Sequence, residues 1–86
     1  MKKIVEEVSG EGLEKLLGEK VLLMCGNYFY AGILEGVNSD CVLLKDPQIV
    51  YDTGEWSAKN YATAEKLPAA QWYVQRASIE SFGLSK

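Results

Sequence analysis

The stretch VLLMCGNYFYAGILEGVNSDCVLLK, residues 21–45, predicts three consecutive antiparallel strands. An apolar run of strand length occupies residues 21–25, and the Gly26-Asn27 pair after it is typical of a two-residue hairpin loop. The second strand, residues 28–36, is rich in aromatic side chains, and a turn separates it from the third strand, residues 41–45. Gly32 lies inside the second strand, where a glycine indicates a bulge or a sharp bend.

A short helix is predicted before these strands, over residues 9–18. Ser9 is a suitable N-cap residue, and Gly18 is a suitable residue to end the helix in a left-handed conformation. One face of this helix would carry three leucines, Leu13, Leu16 and Leu17.

The second half of the chain predicts two more strands after a long polar segment. Asp46-Pro47 interrupts the third strand, because proline cannot donate to a ladder, and residues 48–51 are a candidate continuation beyond a bulge. Residues 52–70 are a variable excursion, interpreted as two strand ends joined by a loose tip. Strands four and five are predicted at residues 72–76 and 78–82, within the segment 71–83.

Together these elements predict one mainly β domain over residues 1–86. The expected architecture is a small, strongly bent, five-stranded antiparallel barrel of the SH3-like or Sm-like kind, with a short N-terminal helix. A chain of 86 residues buries only roughly 60–65% of its unfolded surface. Oligomerisation is therefore the expected additional source of stability.

Composition narrows the class of function. The formal net charge of −3 disfavours nonspecific nucleic-acid binding unless positive groups cluster locally. The chain has no histidine and no Cys-x-x-Cys pair, so the sequence predicts no metal site, no cofactor and no enzyme activity. Cys25 and Cys41 are expected to be reduced, and no apolar segment has the length of a signal peptide or membrane span, so a cytoplasmic protein is expected.

Gly26, Gly32 and the residues after them resemble the first motif of the Sm/LSm family of RNA-binding proteins. Residues 32–46, GILEGVNSDCVLLKD, align without a gap with the bacterial Hfq branch of that family. Gln75-Arg76-Ala77 stands where eukaryotic and archaeal members carry Arg-Gly and where Hfq carries Lys-His-Ala. Four residues look identical to the Hfq branch: Glu35, Leu43, Leu44 and Lys45.

The resemblance implies a ring in which strand four of one subunit pairs with strand five of the next. It implies a cyclic homo-oligomer of roughly five to seven subunits that binds single-stranded RNA or DNA around its pore. The implied subunit interface comprises Trp72, Tyr73, Val74, Ile79 and Phe82. The implied nucleic-acid site comprises Asn38, Ser39, Asp40, Gln75 and Arg76.

Several of these residues have a second interpretation. Asp40 stands where the family places a flat side chain that stacks on a base, and a carboxylate repels phosphate instead. Asn38 is suited to a base edge or to its own turn. Arg76, the only arginine, is suited to phosphate or to a structural ion pair with Asp40, with Glu80 or across the subunit junction. The alternative function is a ring scaffold or protein-interaction module on the same barrel.

Two roles are considered for the aromatic residues, packing within the protein and stacking on nucleic-acid bases. Tyr28, Phe29 and Tyr30 cannot form one stacking platform, because successive strand residues face opposite sides, so packing is expected. Trp56 and Tyr61 in the excursion would either pack on a neighbouring subunit or offer a stacking surface to bases.

Overall fold

The computed structural model describes residues 12–86, which form one antiparallel sheet. Its strands are β1 (Lys20–Cys25), β2 (Phe29–Val37), β3 (Cys41–Asp52), β4 (Thr63–Lys66), β5 (Gln71–Gln75) and β6 (Ile79–Leu84). A 3-10 helix, Gly12–Leu16, precedes β1, and another, Arg76–Ser78, links β5 to β6. The strand order is β6-β1-β2-β3, with β4 and β5 both on the far edge of β3.

The mainly β class is confirmed, but the predicted number of strands is wrong. The described part of the chain has six strands, because β4 pairs with the second half of β3 inside the predicted excursion. Within the segment interpreted as two strand ends joined by a loose tip, β3 ends at Asp52 and β4 covers Thr63–Lys66, and residues 53–62 form the tip between them. The sheet is open, since β5 and β6 do not pair with each other within residues 12–86.

The predicted N-terminal helix is also corrected. Residues 9–11, including the proposed N-cap, lie outside the described residues. The described part is a five-residue 3-10 helix, in which Gly12 has φ +67° and only Leu13 is buried. Gly18 has φ +87°, as expected for the residue that ends such a turn.

Of the bulge or sharp bend predicted at Gly32, the structure shows a bulge. Ala31 pairs with Gln48 and Ile33 pairs with Lys45, so Asp46-Pro47 lies opposite Gly32 as a bulge. The predicted hairpin after β1 is also present, and the backbone N–H of Cys25 donates to the Tyr28 carbonyl (3.1 Å) across it.

At this bulge the strand that pairs with the outer edge of β3 changes from β5 to β4. Before it, residues 41–45 pair with β5, and after it, β3 pairs with β4 from Gln48 onward. Asp46 has φ +50°, and its N–H donates to the Ala70 carbonyl (3.1 Å). β3 therefore continues through the bulge at Asp46-Pro47 and does not end there.

Apolar side chains are buried on both faces of β1. The larger core cluster contains Val21, Leu23 and Cys25 together with Leu34, Val42, Leu44, Val74 and Leu13. The smaller cluster, on the other face, contains Leu22, Ala31 and Val50, and Tyr61 from the tip packs against it. Burial on both faces explains why β1 is a continuous apolar run instead of an alternating one.

Candidate nucleic-acid interface

The two loops implied by the family resemblance lie side by side at one end of the sheet. Cys41, at the start of β3, pairs with Gln75, at the end of β5, so the residues just outside this pair are brought together. The backbone N–H of Arg76 donates to the Asp40 carbonyl (2.9 Å). Its side-chain Nη1 donates to the Asn38 carbonyl, also at 2.9 Å. Arg76 is thus attached to the turn at residues 38–40 through both its backbone and its side chain.

Asn38 uses its side-chain oxygen within its own turn. The Oδ1 atom accepts hydrogen bonds from the backbone N–H groups of Asp40 (2.7 Å) and Cys41 (2.8 Å). The backbone N–H of Asn38 donates to the Cys41 carbonyl (3.0 Å). Of the two roles open to this oxygen, the structure shows the turn-forming one.

The five predicted binding residues are all exposed, namely Asn38, Ser39, Asp40, Gln75 and Arg76. Within residues 12–86, Arg76 forms no ion pair with Asp40 or Glu80, and its only side-chain partner is the Asn38 carbonyl. The remaining N–H donors of the guanidinium are therefore available to a ligand. The carboxylate of Asp40 stands on the same turn and adds negative charge beside them.

The five predicted interface residues divide into two groups. Tyr73 (66% exposed) and Phe82 (42% exposed) project from the chain. Val74 is buried in the larger core cluster, and Trp72 and Ile79 are half-buried against it. Tyr73 and Phe82 are thus the members of this set that a second molecule can contact most directly.

A cleft of about 610 Å³, which sequence reasoning missed, lies between the β1–β2 hairpin and the β5–β6 connection. Its wall includes four aromatic side chains, Tyr28, Tyr30, Trp72 and Tyr73, and one charged residue, Glu80. These residues come from separate elements, so no local sequence pattern indicates the cleft. It adjoins the candidate interface through Gln75 and Ala77.

The cleft wall carries groups that stay neutral at neutral pH. Burial, with a smaller contribution from the Glu80 carboxylate, raises the pKa of the Cys25 thiol. Burial also raises the pKa of Tyr30, with Cys25 and Tyr28 adding to the effect. Both cysteines are free, as predicted.

The two aromatic residues of the tip contact the end of the chain. Trp56 is 61% exposed, whereas Tyr61 is half-buried and its hydroxyl is hydrogen-bonded to the Ser85 hydroxyl. The ammonium group of Lys86 lies 5.6 Å from the Trp56 ring centroid and 5.2 Å from that of Tyr61. Of the two roles considered for Tyr61, packing and base stacking, these contacts favour packing, and the packing is within its own chain.

Other kinds of site find no support in the described part of the chain. Residues 12–86 contain no group of three Asp, Glu, Cys or His side chains placed to hold a metal ion. They also contain no helix with the length and apolarity needed to cross a membrane. No protein-family model matches the chain, and a comparison with curated proteins gives no match.

Proposed function

We propose that this chain is an Sm-like barrel that assembles into a homo-oligomeric ring and binds single-stranded nucleic acid, RNA in particular. The observation that carries the proposal is the attachment of Arg76 to the turn at residues 38–40, through the Asn38 and Asp40 carbonyls. This is the pair of loops that the family resemblance assigns to RNA.

The attachment prepares Arg76 for a phosphate or a base. One N–H of the guanidinium is fixed on the Asn38 carbonyl, so the planar group is oriented before a ligand arrives. Orientation in advance lowers the entropy cost of binding. A guanidinium so held offers paired donors to phosphate oxygens and a flat face to a base.

Ring assembly is supported by the two open ends of the sheet. The outer edges of β5 and β6 have no partner within residues 12–86, and each presents an exposed aromatic side chain, Tyr73 on β5 and Phe82 on β6. Pairing β5 of one copy with β6 of the next would satisfy both edges and bury both rings. A circle of such contacts would place one Arg76 per subunit around the pore, which concentrates positive charge on an acidic protein.

Binding is tested with a labelled single-stranded oligouridine at low salt, followed by fluorescence anisotropy. Arg76→Ala is expected to weaken binding by about tenfold to a hundredfold, the effect of losing a charge-assisted hydrogen bond. Lys59→Ala is the matched control, because Lys59 is an exposed cation of the tip and its loss should change binding by less than about twofold. Absence of binding by the wild type, or equal weakening by both substitutions, would refute the proposed site.

Assembly is tested by light scattering at micromolar concentration. The wild type is expected to be a ring, and Tyr73→Asp is expected to dissociate it by placing a charge on the β5 edge. Ala58→Asp adds the same charge to the exposed tip and should leave the assembly intact. A stable wild-type monomer would remove the basis of the ring.

A protein-binding module is the second candidate, and the cleft is the observation that favours it. Four aromatic rings and Glu80 line it without any lysine or arginine, a surface that suits an apolar or basic peptide better than an anionic strand. If oligonucleotides fail to bind while Tyr28→Ala, at the cleft wall, weakens capture of a basic aromatic peptide, the second candidate replaces the first.

A further inference from the structure

The tip of the β3–β4 hairpin surrounds the side-chain ammonium group of Lys86. The Nζ atom donates to three backbone carbonyls, those of Thr53 (2.8 Å), Glu55 (2.7 Å) and Asn60 (3.4 Å). It also lies over the rings of Trp56 and Tyr61, at 5.6 and 5.2 Å from their centroids. Both distances fall in the range of cation–π attraction.

The chemistry of this site selects a primary ammonium group. Three converging carbonyls match the three N–H donors of an alkylammonium. A planar guanidinium presents its donors in a flat fork, and a quaternary ammonium presents none. Within residues 12–86 Lys86 forms no ion pair, so neutral carbonyls and ring faces hold the charge.

The tip has interactions of its own that shape the site independently of Lys86. Asp52 Oδ1 accepts from the Gly54 N–H (2.9 Å), and the Ala58 N–H donates to the Glu55 carbonyl (3.0 Å). Gly54 has φ +68°, and a side chain there would meet Ala62 Cβ at 3.0 Å. Tyr61 packs against the smaller core cluster. These contacts hold the turn around the Glu55 carbonyl and one of the two rings independently of the Lys86 ammonium group.

We propose that the tip, residues 53–62, is a binding site for a primary alkylammonium group, and that Lys86 occupies it in cis. A lysine side chain of another polypeptide, or a free alkylamine, is the class of ligand that takes this place when Lys86 is displaced. Because Lys86 is tethered to the same chain, its high effective concentration weakens the apparent affinity of every competitor. The site is separate from the proposed nucleic-acid interface, so its test does not depend on that function.

The test uses NMR of the intact chain, with n-butylammonium chloride as the probe. The chain has two tryptophans, so the Trp56 indole N–H reports on the tip and the Trp72 indole N–H is the internal reference. Lys86→Met is expected to shift the Trp56 signal and to leave the Trp72 signal in place. Titration of Lys86→Met with n-butylammonium should then return the Trp56 signal toward its wild-type position in a saturable way, and the wild type should need at least about tenfold more probe.

A second probe, tetramethylammonium, and a second substitution, Trp56→Leu, test the role of the carbonyls and of the ring. Tetramethylammonium chloride at equal ionic strength should bind at least about tenfold more weakly, because it cannot donate to the carbonyls. Trp56→Leu, added to Lys86→Met and followed through the Asn60 amide signal, should weaken n-butylammonium by about threefold or more. No saturable shift with n-butylammonium, or an equal shift with tetramethylammonium, would overturn the proposal. Should Lys86→Met fail to fold, Lys86→Gln and competition on the wild type provide the same readouts.

Discussion

Replacing Gly32 with alanine tests the close approach of β2 and β3 at the bulge, where the outer partner of β3 changes from β5 to β4. A Cβ atom at this position would lie 3.0 Å from the Lys45 carbonyl oxygen, 3.2 Å from Leu44 Cβ and 3.4 Å from Pro47 Cα. Two of these three atoms belong to the backbone of β3, which cannot move without disturbing the bulge at Asp46. The added methyl group would therefore force the two strands apart where the bulge requires close contact.

The expected cost follows from two opposing effects. Overpacking of a closely packed site costs about 1–3 kcal/mol. The reduced freedom of the unfolded chain, which any glycine-to-alanine change brings, returns about 0.4–1 kcal/mol. The net loss for Gly32→Ala is then about 0–2.6 kcal/mol in the free energy of unfolding, and the central value of about 1.3 kcal/mol lowers the melting temperature by roughly 5–10 °C for a chain of this size.

Gly36→Ala is the matched control on the same strand. Its Cβ would lie 3.7 Å from Leu43 Cβ, which is ordinary van der Waals contact, so a stabilisation of about 0.4–1 kcal/mol is expected. Urea unfolding of both variants at one protein concentration measures the difference, since an oligomer's stability depends on concentration. Equal stability of the two variants would refute the steric account of the close contact at the bulge.

Four further predictions concern the core, the two cysteines and the turn. Leu34→Ala, at a fully buried side chain, should lower the free energy of unfolding in urea by about 2–5 kcal/mol. Leu17→Ala, at a side chain that is 48% exposed, should change it by no more than about 0.5 kcal/mol, and similar losses for the two variants would contradict the assigned core. A thiol reagent should modify Cys41 before Cys25, because burial and the Glu80 carboxylate raise the Cys25 pKa. The unfolded chain loses that proton first, so stability should fall as the pH rises above about 8.5, and Cys25→Ala should reduce this fall; an unchanged profile would contradict it. Asn38→Ala should lose about 1–2 kcal/mol with the two hydrogen bonds to Oδ1, whereas Asn38→Asp retains the acceptor; thermal melts that rank them in reverse would exclude the turn role.

The first three strands could be predicted from the sequence because their signals are local. The apolar run of β1, the Gly26-Asn27 loop and Gly32 each fix one feature through neighbouring residues, and the structure shows all three. β4 lacks such a signal, since all four of its residues are exposed and it is held by backbone pairing with β3. A strand of this kind is determined by its partner and not by a hydrophobic period.

The N-terminal segment shows why leucine spacing alone misled the prediction. The spacing of Leu13, Leu16 and Leu17 fits an α-helix, but Gly12 has φ +67°, outside the helical region. Only Leu13 is buried, and Leu17 remains 48% exposed. Within the described residues this segment is a short 3-10 helix, Gly12–Leu16, which buries one leucine fully.

For the candidate site, the sequence indicated the residues but not their partners. The family resemblance placed the turn at residues 38–40 near Arg76, and the β3–β5 register explains why they are adjacent. That Arg76 would donate to the Asn38 carbonyl, and not to a carboxylate, depends on the path of the backbone. The proposed ammonium site around Lys86 has no recognisable sequence pattern, because its hydrogen-bond acceptors are backbone carbonyls, which every residue possesses.

The pairing of β1 with β6 has a consequence for the order of folding. β1, β2 and β3 are neighbours in the chain and join through short loops, whereas β6 reaches β1 from the far end of the sequence. Contacts between distant segments form late, because the loop they close must first lose its entropy. Until β6 arrives, β1 is an unprotected edge with apolar side chains on both faces. We therefore expect the nascent or refolding chain to be most prone to aggregation before β6 pairs with β1. Once paired, β6 covers the exposed edge of β1 and lowers this tendency.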